Sequence, residues 1–245
     1  MPAKCVRNNG GRVTHAPVLF LPGTLCDERI WLPVWRLLPL TDRRYVPLQW
    51  ATSLDDMLAL TGDRADNQQK VHLVGYSMGG YIAALWALRY PEKVASLTLI
   101  GYNPEGLGSQ EIKQRSQLVT MLNKGQFTPQ NPAYINRFVH PDFIEAPQVA
   151  GVMTQMADDL GASTLLAHTQ STTPRPDMVP ELRQASFAVN LIAARQDAIA
   201  RYDLLSAIAP NLHNCTLYSV EDAAHMMLLE RPEDMAGYLK QILTA

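Results

Sequence analysis

Cysteine is scarce in this 245-residue chain: there are three, Cys5, Cys26 and Cys215, widely spaced and odd in number. That excludes a disulfide framework and a zinc knuckle, and leaves reduced, buried thiols that pack as small hydrophobes. Net charge is equally scarce. The formal balance is −2 and no basic stripe appears, so nothing draws the chain to nucleic acid or to an anionic membrane. No uninterrupted apolar run approaches spanning length, and the polar stretch from Met1 to Gly11 lacks the apolar centre of a secretion signal. Internal repeats and low-complexity segments are missing as well, and no motif sets an oligomeric state. The expectation is a cytoplasmic protein with a small-molecule substrate and no nucleic-acid or membrane partner.

What is present suits one large α/β domain. Hydrophobic residues make up 47% and charged residues 18%, enough to bury a sizeable core and too apolar for disorder. Strand-like runs alternate with helix-like ones, which predicts a mostly parallel sheet with helices on both faces. The runs are Val18 to Leu21, ended by Pro22-Gly23; Tyr45 to Leu48, weakened by Pro47; Val71 to Val74; Val94 to Ile100, ended by Gly101; Phe187 to Ile192; and Thr216 to Val220. A last helix starts at Arg231-Pro232-Glu233, with proline in its first turn.

The segment between Ile100 and Phe187 breaks the alternation. Val149, Val152, Met153, Met156 and Leu160 fall at helical spacing, and their stripe predicts internal packing. An insertion of this size between two sheet strands reads as a cap over the strand ends, where ligands bind in open α/β sheets. The expected division is therefore a core of residues 1–102 and 186–245, with a helical cap over residues 103–185.

The most informative run is Gly75-Tyr76-Ser77-Met78-Gly79, directly after Val71-His72-Leu73-Val74. A β-branched strand feeding a G-x-S-x-G turn and then an alanine-rich helix reads as a nucleophile elbow. The chain reverses so sharply there that a Cβ two residues before or after the serine would clash, and glycine avoids it. A serine hydroxyl needs a base within hydrogen-bond reach, and the base needs a third group to hold its tautomer.

For the acid we select Asp197, just past the strand that ends near Ile192, over Asp203 and Asp222, which fit the strand end less well. The base is His225, in the loop after the last strand. Among the other histidines, His72 lies inside a strand, while His15, His140, His168 and His213 sit where they do not converge on strand ends. An oxyanion hole needs two backbone N–H groups. Met78 supplies one as the residue after the serine, and Thr24, in the turn from Leu21 to Asp27, is the choice for the second.

These residues resemble the α/β-hydrolase superfamily over nearly the whole chain. The resemblance rests on the Leu21 to Asp27 turn, the elbow, Arg195-Gln196-Asp197, and Ala224-His225 followed by Leu229-Glu230-Arg231-Pro232. Arg175-Pro176-Asp177 adds a feature of the esterase-like members. Two positions depart from relatives. Pro22-Gly23 stands where many members have His-Gly, and Tyr81 stands where the menaquinone-pathway synthase has an arginine, which argues against that activity. Ser77 excludes the aspartate-nucleophile dehalogenases. The resemblance implies a serine hydrolase acting on an ester or thioester, with no metal or organic cofactor. A carbon–carbon bond hydrolase or lyase with the same triad, and a non-catalytic small-molecule receptor, are the alternatives.

Overall fold

The computed structural model describes residues 16–65, 69–212 and 214–244. The Met1 to Gly11 stretch, Cys5, His15 and His213 lie outside them. Six strands form one sheet: β1 (Val18–Leu21), β2 (Arg43–Tyr45), β3 (Val71–Tyr76), β4 (Val94–Ile100), β5 (Ala188–Ala194) and β6 (Cys215–Val220). Their order is β2-β1-β3-β4-β5-β6 and every pairing is parallel. The order reverses between β1 and β3, so a crevice opens there at the carboxyl ends of the strands.

Ten helices accompany the sheet among the described residues. Five alternate with the strands: α1 (Leu32–Leu37), α2 (Leu54–Arg64), α3 (Met78–Arg89), α8 (Tyr202–Ile208) and α10 (Pro232–Thr244), the last preceded by the short α9 (Met227–Glu230). Four lie between β4 and β5: α4 (Ser109–Asn123), α5 (Pro132–Ile135), α6 (Val152–Ser171) and α7 (Val179–Leu182). None is long and apolar enough to cross a membrane.

The period-two alternation of the strands splits the core into two layers. Leu19, Leu21 and Leu73 face Met57 of α2 and Ile82 and Trp86 of α3. Val18, Phe20, Val74 and Tyr76 face the other way, onto Val34 of α1 and Leu239 and Ile242 of α10. A third, smaller cluster joins Leu122, Ala157 and Leu165 of the inserted helices to Leu25, in the loop after β1.

The strand ends differ from expectation in instructive ways. β2 covers Arg43–Tyr45 rather than Tyr45 to Leu48. The Val46 N–H still reaches the Phe20 carbonyl, but Pro47 has no N–H to continue the ladder and Leu48 opens a 3-10 turn. β3 runs on through Gly75 and Tyr76, which pair with Leu99 and Ile100, and β5 reaches Ala194. In the 149–160 stripe, Val149 and Met156 are core residues, and Val152, Met153 and Leu160 pack against that core.

Candidate active site

Ser77 sits between β3 and α3 with φ 52° and ψ −114°. That is a left-handed conformation which costs an L-residue about 1–3 kcal/mol and persists only where the surroundings impose it. They do. The Ser77 N–H donates to the Ile100 carbonyl at 2.8 Å. A Cβ on Gly75 would run into the Gly79 carbonyl, and one on Gly79 into the carbonyls of Leu21 and Pro22. The elbow is thus folded on itself and pressed against the end of β1, with Ser77 itself half-buried.

Asp197 follows β5 by three residues, in a turn whose Gln196 N–H donates to Ala223 O at 3.0 Å and whose Gln196 Oε1 accepts from Ala223 N at 3.2 Å. Those bonds set the turn against the loop that carries His225. The carboxylate is fully buried. Its Oδ1 accepts from the N–H groups of Ile199 (2.7 Å) and Ala200 (2.9 Å), and its Oδ2 lies 2.8 Å from His225 Nδ1. His225 Nε2 lies 3.0 Å from Ser77 Oγ. A carboxylate only accepts, so Nδ1 carries the ring hydrogen and Nε2 is the acceptor for the serine hydroxyl. The line Ser77–His225–Asp197 is complete within ordinary hydrogen-bond distances.

The imidazole is boxed in. The Tyr76 and Phe138 rings lie 5.3 and 5.8 Å from it, and Gly101 backs onto its edge. The Tyr76 hydroxyl donates to the His225 carbonyl at 2.9 Å, and Met226 N donates to Phe138 O at 3.1 Å. Glu230 bridges from below: Oε2 accepts from Ala224 N and Oε1 from His140 N, both at 2.7 Å. Burial pushes the Glu230 carboxyl up, and the two N–H donors pull it back. The two rejected acids stand apart from this line. Asp203 pairs with Arg201 and Asp222 faces Arg231, both exposed.

Thr24 lies in the loop that faces the elbow across the β1–β3 crevice, and Met78 is the first residue of α3. Among the described residues, no hydrogen bond uses the backbone N–H of either. Both therefore remain available as donors, and that of Met78 also lies at the positive end of the α3 dipole. Cys26, two residues on, is buried, and burial together with the Asp27 charge pushes its thiol up to about 12, far from nucleophilic. A cavity of about 340 Å³ opens over Ser77, His225 and Thr24 and is walled on its far side by residues such as Leu118, Phe127, Met153 and Met156 of the inserted segment. Glu111, Arg115 and Arg137 add charge to this mostly apolar wall. No group of three or more metal-ligating side chains is assembled among the described residues.

One histidine is not where the sequence reading put it. His168, expected away from the strand ends, reaches from α6 to the loop just after β1, where its Nδ1 accepts from Leu25 N at 3.1 Å. The contact spans 143 positions of sequence, which no local pattern announces. Arg175 of the Arg-Pro-Asp run is buried, stacked over Tyr81 and bonded to Thr172, and Asp177 caps Val179. Both brace the end of the insertion.

Comparison with known proteins agrees with this fold. Residues 51–232 match the family model described as alpha/beta hydrolase fold. Among curated proteins, the chain is 24% identical to human monoacylglycerol lipase ABHD6 over 262 residues, covering 96% of this chain and 77% of that one. It is 25% identical over 183 residues to a pimeloyl-(acyl-carrier protein) methyl ester esterase from Neisseria meningitidis serogroup C, covering 70% and 68%. A thermophilic esterase from Thermogutta terrifontis, solved with malate bound, superposes with a TM-score of 0.82 at 20% identity, over 94% of this chain and 90% of that one. At that identity the likeness is one of fold.

Proposed function

The chain belongs to the α/β-hydrolase fold family, and on that premise we propose that it is a serine hydrolase that cleaves a carboxylic ester or thioester through an acyl-enzyme. The observation that carries this reading is the unbroken hydrogen-bond line from Ser77 through His225 to Asp197 at the mouth of the cavity. Ser77 Oγ attacks the carbonyl carbon while its proton passes to His225 Nε2. Asp197 holds the ring and stabilises the imidazolium. The N–H groups of Thr24 and Met78 receive the charge that develops on the carbonyl oxygen. Collapse of the tetrahedral species expels the alcohol or thiol, which takes the proton from His225. Water then repeats the sequence on the acyl-enzyme and regenerates Ser77.

Residues 103–185 serve in this reading as a helical cap that roofs the site, and their apolar wall selects a small to medium acyl or alcohol group. The two curated relatives are named as a lipase and a methyl ester esterase. Both names denote ester cleavage, which favours esters over carbon–carbon bonds. A series of p-nitrophenyl esters from acetate to decanoate, with matching acyl thioesters, tests the proposal. Turnover that rises and then falls with acyl length is expected. A folded protein that hydrolyses none of them would overturn it and leave the carbon–carbon cleavage and receptor alternatives.

A further inference from the structure

We propose that His168 is a positioning residue for the oxyanion half of this site: by accepting the Leu25 N–H it fixes the loop that presents Thr24 to the reacting carbonyl. The inference rests on the hydrolase reading above. Leu25 is a leucine at φ 53°, a left-handed conformation that a bulky side chain avoids unless it is held. Two things hold it. Its side chain is packed with Leu122, Ala157 and Leu165 from the inserted helices. Its N–H donates to His168 Nδ1 at 3.1 Å, inside the protein.

The partners dictate the state of the ring. An N–H only donates, so Nδ1 is bare; the Leu48 carbonyl, 3.0 Å from Nε2, only accepts, so Nε2 carries the hydrogen. His168 is fully buried, and desolvation pushes its imidazole down to about 4, which keeps it neutral and Nδ1 free to accept. In this state the ring clamps two core segments from α6: the loop after β1 through Leu25 and the turn after β2 through Leu48. Arg29 on the same loop makes a second tie to α6, an ion pair with Asp159 at 2.7 Å. Ser171 makes a third, to the Thr52 carbonyl at 3.0 Å.

A residue that merely fills space and a residue that aims Thr24 predict different results for two variants. The amide oxygen of His168→Asn lies near the Nδ1 position and still receives the Leu25 N–H. The amide nitrogen of His168→Gln reaches the Nε2 position and still serves Leu48, but leaves Leu25 unpaired. Each keeps one bond of two, so a purely structural role ranks them equally. The positioning role does not. His168→Gln lowers kcat by about 10²-fold, the cost of a misplaced reacting group, with KM within about twofold. His168→Asn stays within about threefold of the wild type in both. Hydrogen exchange at the Leu25 amide supplies a readout that needs no substrate: protection is retained in His168→Asn and falls by more than about tenfold in His168→Gln. His168→Phe, which keeps the volume and neither bond, follows His168→Gln and stands in for it should that protein not fold. Equal kcat values for Asn and Gln, a loss confined to KM, or unchanged Leu25 protection in Gln and Phe would overturn the inference. A wild type that turns over no ester overturns the hydrolase reading instead, and the exchange at Leu25 still decides whether His168 holds the loop.

Discussion

The two loops that face each other across the β1–β3 crevice are held by opposite means. The elbow at Ser77 is fixed from within: its strand is paired on both sides, its glycines fold it onto β1, and its strain is imposed by backbone contacts. The loop after β1 is fixed from without, by the His168 ring, the Asp159 carboxylate and an apolar pocket, all from helices inserted between β4 and β5. The proposed mechanism needs both, because it draws the nucleophile and one oxyanion donor from the elbow and the second donor from the loop opposite. The difference teaches where tolerance lies. Change on the elbow side strikes the fold and the chemistry together, whereas change on the loop side alters the aim of a group while the sheet stands.

The largest effect is expected at the acid, which follows β5 and serves the elbow only through His225. Asp197→Asn should keep the fold and lower kcat by about 10⁴, because the amide favours the wrong imidazole tautomer. Asp222→Asn and Asp203→Asn, exposed and away from His225, should change kcat by less than about twofold, within the ordinary range of surface substitutions. Damage from Asp222→Asn and none from Asp197→Asn would break the assignment.

Next in size is Gly79→Ala. Its added methyl meets the Leu21 and Pro22 carbonyls, which are main chain and cannot rotate away. A loss of about 3 kcal/mol or more in denaturant unfolding is expected, at the upper end of overpacking costs. A Gly79→Ala protein of unchanged stability would mean that the elbow is looser than drawn.

On the outer side, the His168 ring ties stability to pH. Its imidazole titrates at about 4 in the fold against 6.5 for the unperturbed side chain. Between those values the unfolded chain binds the proton and the folded one does not, so stability falls as pH drops through that window, by up to roughly 3 kcal/mol. His72 shifts in the same direction but is common to both proteins when the wild type is compared with His168→Asn. The variant should therefore show a flatter acid limb in urea melts at matched pH. Parallel limbs would contradict a buried, neutral His168. The smallest effect belongs to Asp159→Asn. Asp159 is 65% exposed and Arg29 keeps Asp27, so stability should change by less than about 1 kcal/mol, and less again in high salt.

This contrast also explains what the sequence could reveal. The elbow, the parallel sheet and the strand-end positions of Asp197 and His225 are written in short runs: a strand ending in a glycine turn, a proline closing a ladder, an acid just beyond β5. Each is a local backbone rule, readable within ten residues. The departures are local too, two or three residues at strand ends, as where Pro47 cuts β2 short. His168 is not legible in this way because its bonding partner lies 143 positions away. Nothing around Ala167-His168-Thr169 distinguishes it from any helical histidine.

The most direct measurement of the central claim is covalent labelling with a fluorophosphonate, followed by intact mass and peptide mapping. One adduct per chain is expected, on the peptide that contains Ser77. Ser77→Ala should abolish the adduct and lower ester hydrolysis by about 10⁶, and Asp197→Asn should slow labelling in step with its loss of kcat. Stoichiometric labelling of another residue, or full hydrolysis by Ser77→Ala, would contradict the account.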